Sequence, residues 1–229
     1  MGLPALYVQD ADTADIKVPH VIPPAARVKA IKNLTDNFGA ISKATEELQK
    51  LSIEEARQNI QSKKFVDTFK SLTHDQGIDQ LVGDVSSLID PLMGKDVVLG
   101  LNSIKTHDGY TFQHSLDVTI MGLLLAKKLG WDAQRLEDFG VGCLLHDMGK
   151  IFIDSEILNK PGKLTEEEFD RMKAHPTLGY ELVKTIAPTM STLIPHVAYQ
   201  HHERQDGTGY PRGLEGDNTL GENKPDLIH

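Results

Sequence analysis

Four places in this sequence put imidazole, once with carboxylate, on or beside apolar helical stretches. His114 shares a helix face with Asp117, Val118 and Met121. His146-Asp147 follows the apolar run GVGCLL, His175 ends a helical stretch that begins at Thr165, and His201-His202 end the segment LIPHVAYQ. A lone histidine on such a face is ordinarily a packed core residue. Several of them, one followed at once by aspartate, are harder to explain as packing, because buried polar groups cost free energy unless partnered. Metal ions are suitable partners for converging imidazoles and a carboxylate. Imidazole and carboxylate without a thiolate cluster suit Fe, Mn, Zn or Co rather than an iron–sulfur centre. An aspartate such as Asp147 can bridge two metals. Two metals about 3.5–4 Å apart can share a hydroxide and clamp a phosphoryl oxygen. That combination gives phosphodiester hydrolysis its nucleophile and stabilises the charge that develops on phosphorus-bound oxygens.

The elements that must position these residues read as helices. Residues 110–129 make a strongly apolar helix ending at Gly130, and residues 133–148 make another, with Gly149 as C-cap. Thr165 followed by Glu168 is a capping box that starts a third helix. His175-Pro176 breaks or restarts it, and a fourth helix covers 191–203 before the loop DGTGYPRG at 206–213. Upstream, residues 25–72 and 78–92 are helical by period, with Pro91 and Gly94 marking the end of the latter. Residues 1–24 read as an extended arm in which Pro19, Pro23 and Pro24 oppose helix. No alternating strand and no internal repeat are visible, so the expectation is an all-α fold. Residues 1–105 carry nothing that looks like chemistry, and 1–104 read as an arm and a helical region with a regulatory or dimerisation role.

Composition narrows the function. The chain has 229 residues and a net charge of −9. It shows no basic patch of the kind that grips long nucleic acid, although an acidic protein can bind a small phosphate ligand where metal ions supply positive charge. No run of 18 apolar residues occurs, so no membrane span is expected. No secretory signal precedes the helices. The one cysteine, Cys143, excludes an internal disulfide framework and suits a reducing cytoplasm.

Taken in order, LLHDMGK, LNKPGKLTEEEF, MKAHPTLGYEL and HHERQDGTGYP resemble the HD-GYP domain, a branch of the HD phosphohydrolase superfamily found in bacterial signalling proteins. The resemblance covers roughly residues 105–220. It implies an HD-superfamily helical bundle with an N-terminal helical extension, and a metal-dependent phosphodiesterase that hydrolyses cyclic di-GMP to pGpG or GMP. It further implies that His114, His146, Asp147, His175, His201 and His202 are metal ligands, with Asp147 bridging. Lys150 would reach the substrate phosphate, so Asp147 and Lys150 are the expected catalytic pair. Gly209, Tyr210 and Pro211 would form the substrate-side loop together with Asp206, which with Glu203 orders it. His20, His74, His107, His196 and His229 match no family ligand and read as structural or surface residues. Members with a third metal carry an extra carboxylate one turn before the first histidine. That turn holds Gly109 and Tyr110 here, with Asp108 further off, so two divalent metals, Fe or Mn, are expected. A homodimer or a signalling-protein partner is also in keeping with the resemblance.

In the family pattern, an aspartate-bearing helix follows the GYP loop and completes the metal site. Here the sequence ends at His229, and Asp217 and Asp226 lack that context. The expectation is therefore a domain whose C-terminal part is missing and a site one carboxylate short, as a fragment or as a truncated product. The competing function is a catalytically impaired signalling module that binds cyclic di-GMP or a protein partner. A third reading is an HD-type phosphohydrolase for another nucleotide, against which the GYP loop argues.

Overall fold

The computed structural model of the protein describes residues 23–72, 77–93 and 110–216. Its first helix, α1 (Pro24–Thr45), begins on Pro24 rather than after it. A proline in the first turn gives up only an N–H that has no intrahelical partner, so it starts a helix where it would break one further along. A short 3-10 helix follows at Glu46–Lys50, then α2 (Ile53–Ile60) and α3 (Lys63–Leu72). Ser52 caps α2 in a capping box with Glu55. The next helix, α4 (Gly77–Met93), ends within one residue of the expected 92, with Pro91 inside its last turn. Proline removes one helical hydrogen bond there, while Leu88 and Ile89 in the same stretch are held in the core.

The helices that carry the candidate site are α5 (Tyr110–Lys128), α6 (Ala133–Leu145), α7 (Ser155–Leu158), α8 (Glu166–Met172), α9 (His175–Ile186) and α10 (Leu193–Gln200). Asp132 caps α6 by accepting from the Arg135 backbone N–H. The capping box expected at Thr165 and Glu168 is present at the start of α8. His175-Pro176 restarts the chain as α9, with the proline in the first turn. Two expectations are corrected. The α6 helix ends at Leu145, and Met148–Phe152 form a 3-10 helix, so Gly149 is not a helix cap. The last helix is shorter than expected, 193–200, with His201 as its C-cap.

Helix α6 packs between α5 and α10, α10 also packs on α9, and α9 lies on the 3-10 helix Met148–Phe152. Helix α1 touches α4, α5 and that same 3-10 helix, while α2 lies on α9. One apolar cluster joins Leu34, Ile60, Leu81 and Leu88 from the N-terminal helices to Leu116, Leu144, Phe152 and Leu182. Each fully buried side chain of this size contributes about 1.5–3 kcal/mol. Polar contacts tie the two parts together as well. Gln49 Nε2 donates to the Ile151 carbonyl at 2.9 Å, and Arg171 donates to the Leu51 carbonyl at 2.7 Å. Glu181 on α9 accepts from Arg57 at 2.8 Å and from Gln61 at 2.9 Å. The boundary expected at 104 falls outside the described residues. The all-α expectation holds: among the described residues the only β pairing is an isolated bridge, Asp206 to Glu215.

Candidate metal centre

The site is built where three helix ends meet. His146 is the C-cap of α6, His175 the first residue of α9 and His201 the C-cap of α10. Each ring is oriented by the chain three residues earlier. The Nδ1–H of His146 donates to the Cys143 carbonyl at 2.6 Å, that of His175 to Met172 at 2.7 Å, and that of His201 to Ala198 at 2.9 Å. These carbonyls lie in the last turns of α6, α8 and α10, and that of Cys143 also accepts weakly from the His146 backbone N–H at 3.5 Å. With Nδ1 committed as donor, the neutral ring presents a bare Nε2 lone pair.

All three Nε2 atoms aim at Asp147. The His146 atom lies 3.2 Å from Oδ2, while those of His175 and His201 lie 3.4 and 3.6 Å from Oδ1. Lys150 closes the Oδ2 side at 2.7 Å. Oδ1 is buried and accepts no hydrogen bond. The Nε2 atoms of His175 and His201 stand 3.1 Å apart. Two facing lone pairs and an unpartnered buried carboxylate oxygen repel one another unless a cation lies among them. The donor set present therefore fits a divalent metal, and His–carbonyl pairing of this kind orients ligating imidazoles.

Every histidine expected at the site is brought to it. His114 on α5 and His146 sit edge to face with ring centroids 5.5 Å apart, and His114, His146 and Asp147 form one candidate ligand group. His175, His201 and His202 form a second, and Asp147 touches both. His114 is the exposed member, whereas His146, Asp147 and His175 are buried. Asp117, on the same helix as His114, is turned away and accepts from Arg27 and Gln113, both at 2.8 Å. His196 packs on Tyr180 and Tyr199, apart from the cluster. His20, His74, His107 and His229, with Asp108, Asp217 and Asp226, lie outside the described residues.

Electrostatics favour the ligating forms. Burial pushes the Asp147 carboxyl up, but the His146 and His201 imidazoles and the Lys150 ammonium outweigh it and hold the group far below the usual carboxylate range. Burial drives His175 down to about 3, and burial with the neighbouring His201 drives His202 down to about 4. Burial and His146 also lower His114. Metal ligands must be deprotonated imidazole and ionised carboxylate, and these groups are so at neutral pH. Burial pushes the Cys143 thiol up to about 12, which leaves it inert as a ligand or nucleophile.

Two glycines make the geometry sterically. A Cβ on Gly149 would lie 1.9 Å from the His175 carbonyl oxygen, so only glycine lets the 3-10 helix bearing Lys150 pass against the start of α9. A Cβ on Gly209 would lie 2.3 Å from the Arg204 nitrogen, so the loop folds flat on its own start. In that loop Glu203 accepts from the Arg212 and Leu214 N–H groups at 2.7 and 2.8 Å. Asp206 is exposed and accepts from Arg204 at 3.0 Å and from the Thr208 N–H at 3.0 Å. Both carboxylates therefore hold the loop in shape. The Tyr210–Pro211 peptide is cis, and the Tyr210 ring stacks on His202 at 4.6 Å and 16°.

Next to the cluster opens a cleft of about 610 Å³, lined by His201, His202, Gly209 and Tyr210, and also by Phe169 of α8 and its C-cap Lys173. The last two were missed in the sequence. Their signal was faint: one large apolar residue, Phe169, in the otherwise charged run EEEFDR, with a lysine four positions later.

A helical domain closed around paired His/Asp groups defines a class, and residues 102–219 match the model of the HD domain family. The chain belongs to that family, as its HD-GYP-like motifs imply. Among curated proteins it is similar to a cyclic di-GMP phosphodiesterase of Pseudomonas aeruginosa, 38% identical over 154 residues, 65% of this chain and 36% of that protein. The cyclic di-GMP phosphodiesterase response regulator RpfG of Xanthomonas campestris is 40% identical over 115 residues, 50% of this chain and 30% of that one. A 3'3'-cGAMP-specific phosphodiesterase of Vibrio cholerae is 37% identical over 119 residues, 52% of this chain and 27% of that one. The chain thus spans about a third of the length of these relatives. Among the described residues no helix is long and apolar enough to cross a membrane.

Proposed function

We propose that the chain carries the centre of a metal-dependent phosphodiesterase acting on cyclic di-GMP, with the linear dinucleotide pGpG or GMP as product. The observation that carries this reading is Asp147: one oxygen faces His175 and His201 without a hydrogen bond, and the other faces His146 and Lys150. His175, His201 and His202 would hold one divalent ion, His114 and His146 a second, with Asp147 between them; Fe or Mn suits these ligands. Bound there, the ions supply Lewis acidity and make water nucleophilic near neutral pH.

The chain's own groups do the rest. In the hydrolysis, the water oxygen bonds to phosphorus, the ester bond to one ribose oxygen breaks, and that oxygen takes up a proton. Lys150 is a third exposed while still paired with Asp147, so its ammonium can meet a phosphate oxygen held beside Asp147 and stabilise developing charge. Gly149 and Gly209 permit the close backbone approaches that hold the Lys150-bearing 3-10 helix and the Tyr210 loop in place, and Tyr210 stacks on His202 beside the centre. Residues 1–104 would act as a regulatory or dimerisation region, with a second copy or a signalling protein as partner, and the working compartment would be the cytoplasm.

The test is incubation of protein loaded with ferrous iron or manganese, under reducing conditions, with cyclic di-GMP. Chromatography should resolve pGpG or GMP. Tight binding without turnover would instead assign a dinucleotide-binding signalling module.

A further inference from the structure

The Phe169 side chain is 46% exposed. A single exposed apolar residue is ordinary, but this one lines the cleft that opens on His201 and His202. Its ring centroid lies 6.3 Å from that of Tyr210, edge to face at 81°, and Tyr210 in turn stacks on His202. A continuous run of rings therefore leads from the metal ligands to Phe169. The phenyl group has no donor or acceptor, so it offers a ligand only an aromatic surface. Four residues later, at the C-cap of α8, Lys173 places its Nζ 4.8 Å from the ring centroid. Lys173 is also paired with Asp170 at 2.6 Å. Such a partly exposed pair is weakly held, and the ammonium can turn to a ligand at small cost.

A π-face beside a cation is the complement of a purine. Base–aromatic stacking needs no particular base, but the ammonium is a donor only. Guanine presents two adjacent acceptors, N7 and O6, whereas adenine presents N7 beside an amino donor. The cation therefore discriminates between them. We infer that Phe169 and Lys173 form a base subsite in which one guanine of the dinucleotide stacks on Phe169 and is read by Lys173. This inference rests on the cyclic dinucleotide reading above.

The test uses metal-loaded protein and the hydrolysis-resistant bis-phosphorothioate analogues of cyclic di-GMP and cyclic di-AMP, with binding measured by calorimetry. F169L should weaken both analogues about tenfold, given roughly 1–3 kcal/mol per stacked base, and F169W should restore them. K173M should weaken the guanine analogue more than the adenine analogue and so reduce the preference for guanine about fivefold, because the lost donor faces two acceptors on guanine and one on adenine. Metal content should be that of the wild type throughout. If F169L binds the guanine analogue within twofold of a wild type that binds it well, or if K173M keeps the full preference, the subsite is wrong and the dinucleotide reading stands. Should the wild type bind neither analogue, the dinucleotide reading itself fails.

Discussion

Replacing Gly149 by alanine tests how the centre is assembled. The new Cβ would stand 1.9 Å from the His175 carbonyl oxygen, 2.6 Å from the Gly179 nitrogen and 2.9 Å from the His175 carbonyl carbon. All three are backbone atoms of α9, so no side chain can swing aside. Reaching ordinary van der Waals contact near 3.4 Å requires the 3-10 helix and α9 to separate by roughly 1.5 Å. Overpacking that side chains can absorb costs about 1–3 kcal/mol. A clash with rigid backbone should exceed that range, and about 4 kcal/mol is expected. The same shift would carry His175 away from Asp147, and a misplacement near 1 Å costs about 10²-fold in a reaction that depends on alignment. G149A should therefore lose several kcal/mol in urea unfolding in the presence of chelator, and bind metal far more weakly by calorimetry. Gly83 provides the control. It lies within α4, and a Cβ there meets nothing within 4 Å. G83A should stabilise by about 0.5–1 kcal/mol. A G149A protein with wild-type unfolding and metal affinity within threefold of wild type would refute the steric reasoning.

Three further outcomes follow from the site. Asp147→Asn keeps the shape and removes the charge shared by both candidate ligand groups, so calorimetry should show metal affinity reduced by more than the about 10–100-fold that loss of a ligand's outer partner costs, with helical circular dichroism retained. The metal-free protein should lose stability as pH falls from about 6.5 towards 3. His175 stays neutral to about 3 in the fold but titrates near 6.5 when unfolded, so only the unfolded form takes up its proton in that window, at about 1.4 kcal/mol per pH unit. His175→Gln should flatten that limb by one proton, and equal slopes for the two proteins would contradict it. Glu181→Ala should cost about 0.5–1.5 kcal/mol in urea unfolding, because it removes the buried carboxylate that accepts from Arg57 and Gln61, while Arg57 keeps Glu54 and Gln61 keeps water.

Much of the centre could be read from the sequence because its chemistry is local. His146 and Asp147 are adjacent, His201 and His202 are adjacent, and the Thr165–Glu168 capping box spans one helical turn. Each ring's orientation is local too, since the accepting carbonyl lies three residues upstream in all three cases. The helix ends were less legible. Pro24 and Gly149 were read as local signals, a breaker and a cap, whereas the first starts a helix and the second is set by a contact with α9, 26 residues further along.

The sequence by itself determined the candidate ligand types, an all-helical frame and the phosphodiesterase-like motifs, because these depend on residue identity and short spacing. Tertiary structure alone decided which atoms face one another: that Asp147 spans both ligand groups, that Asp117 turns to Arg27 and Gln113 instead, and that Phe169 and Lys173 border the cleft. Those relations join helices distant along the chain. They arise from how apolar faces pack, which the spacing of residues within any one helix does not encode.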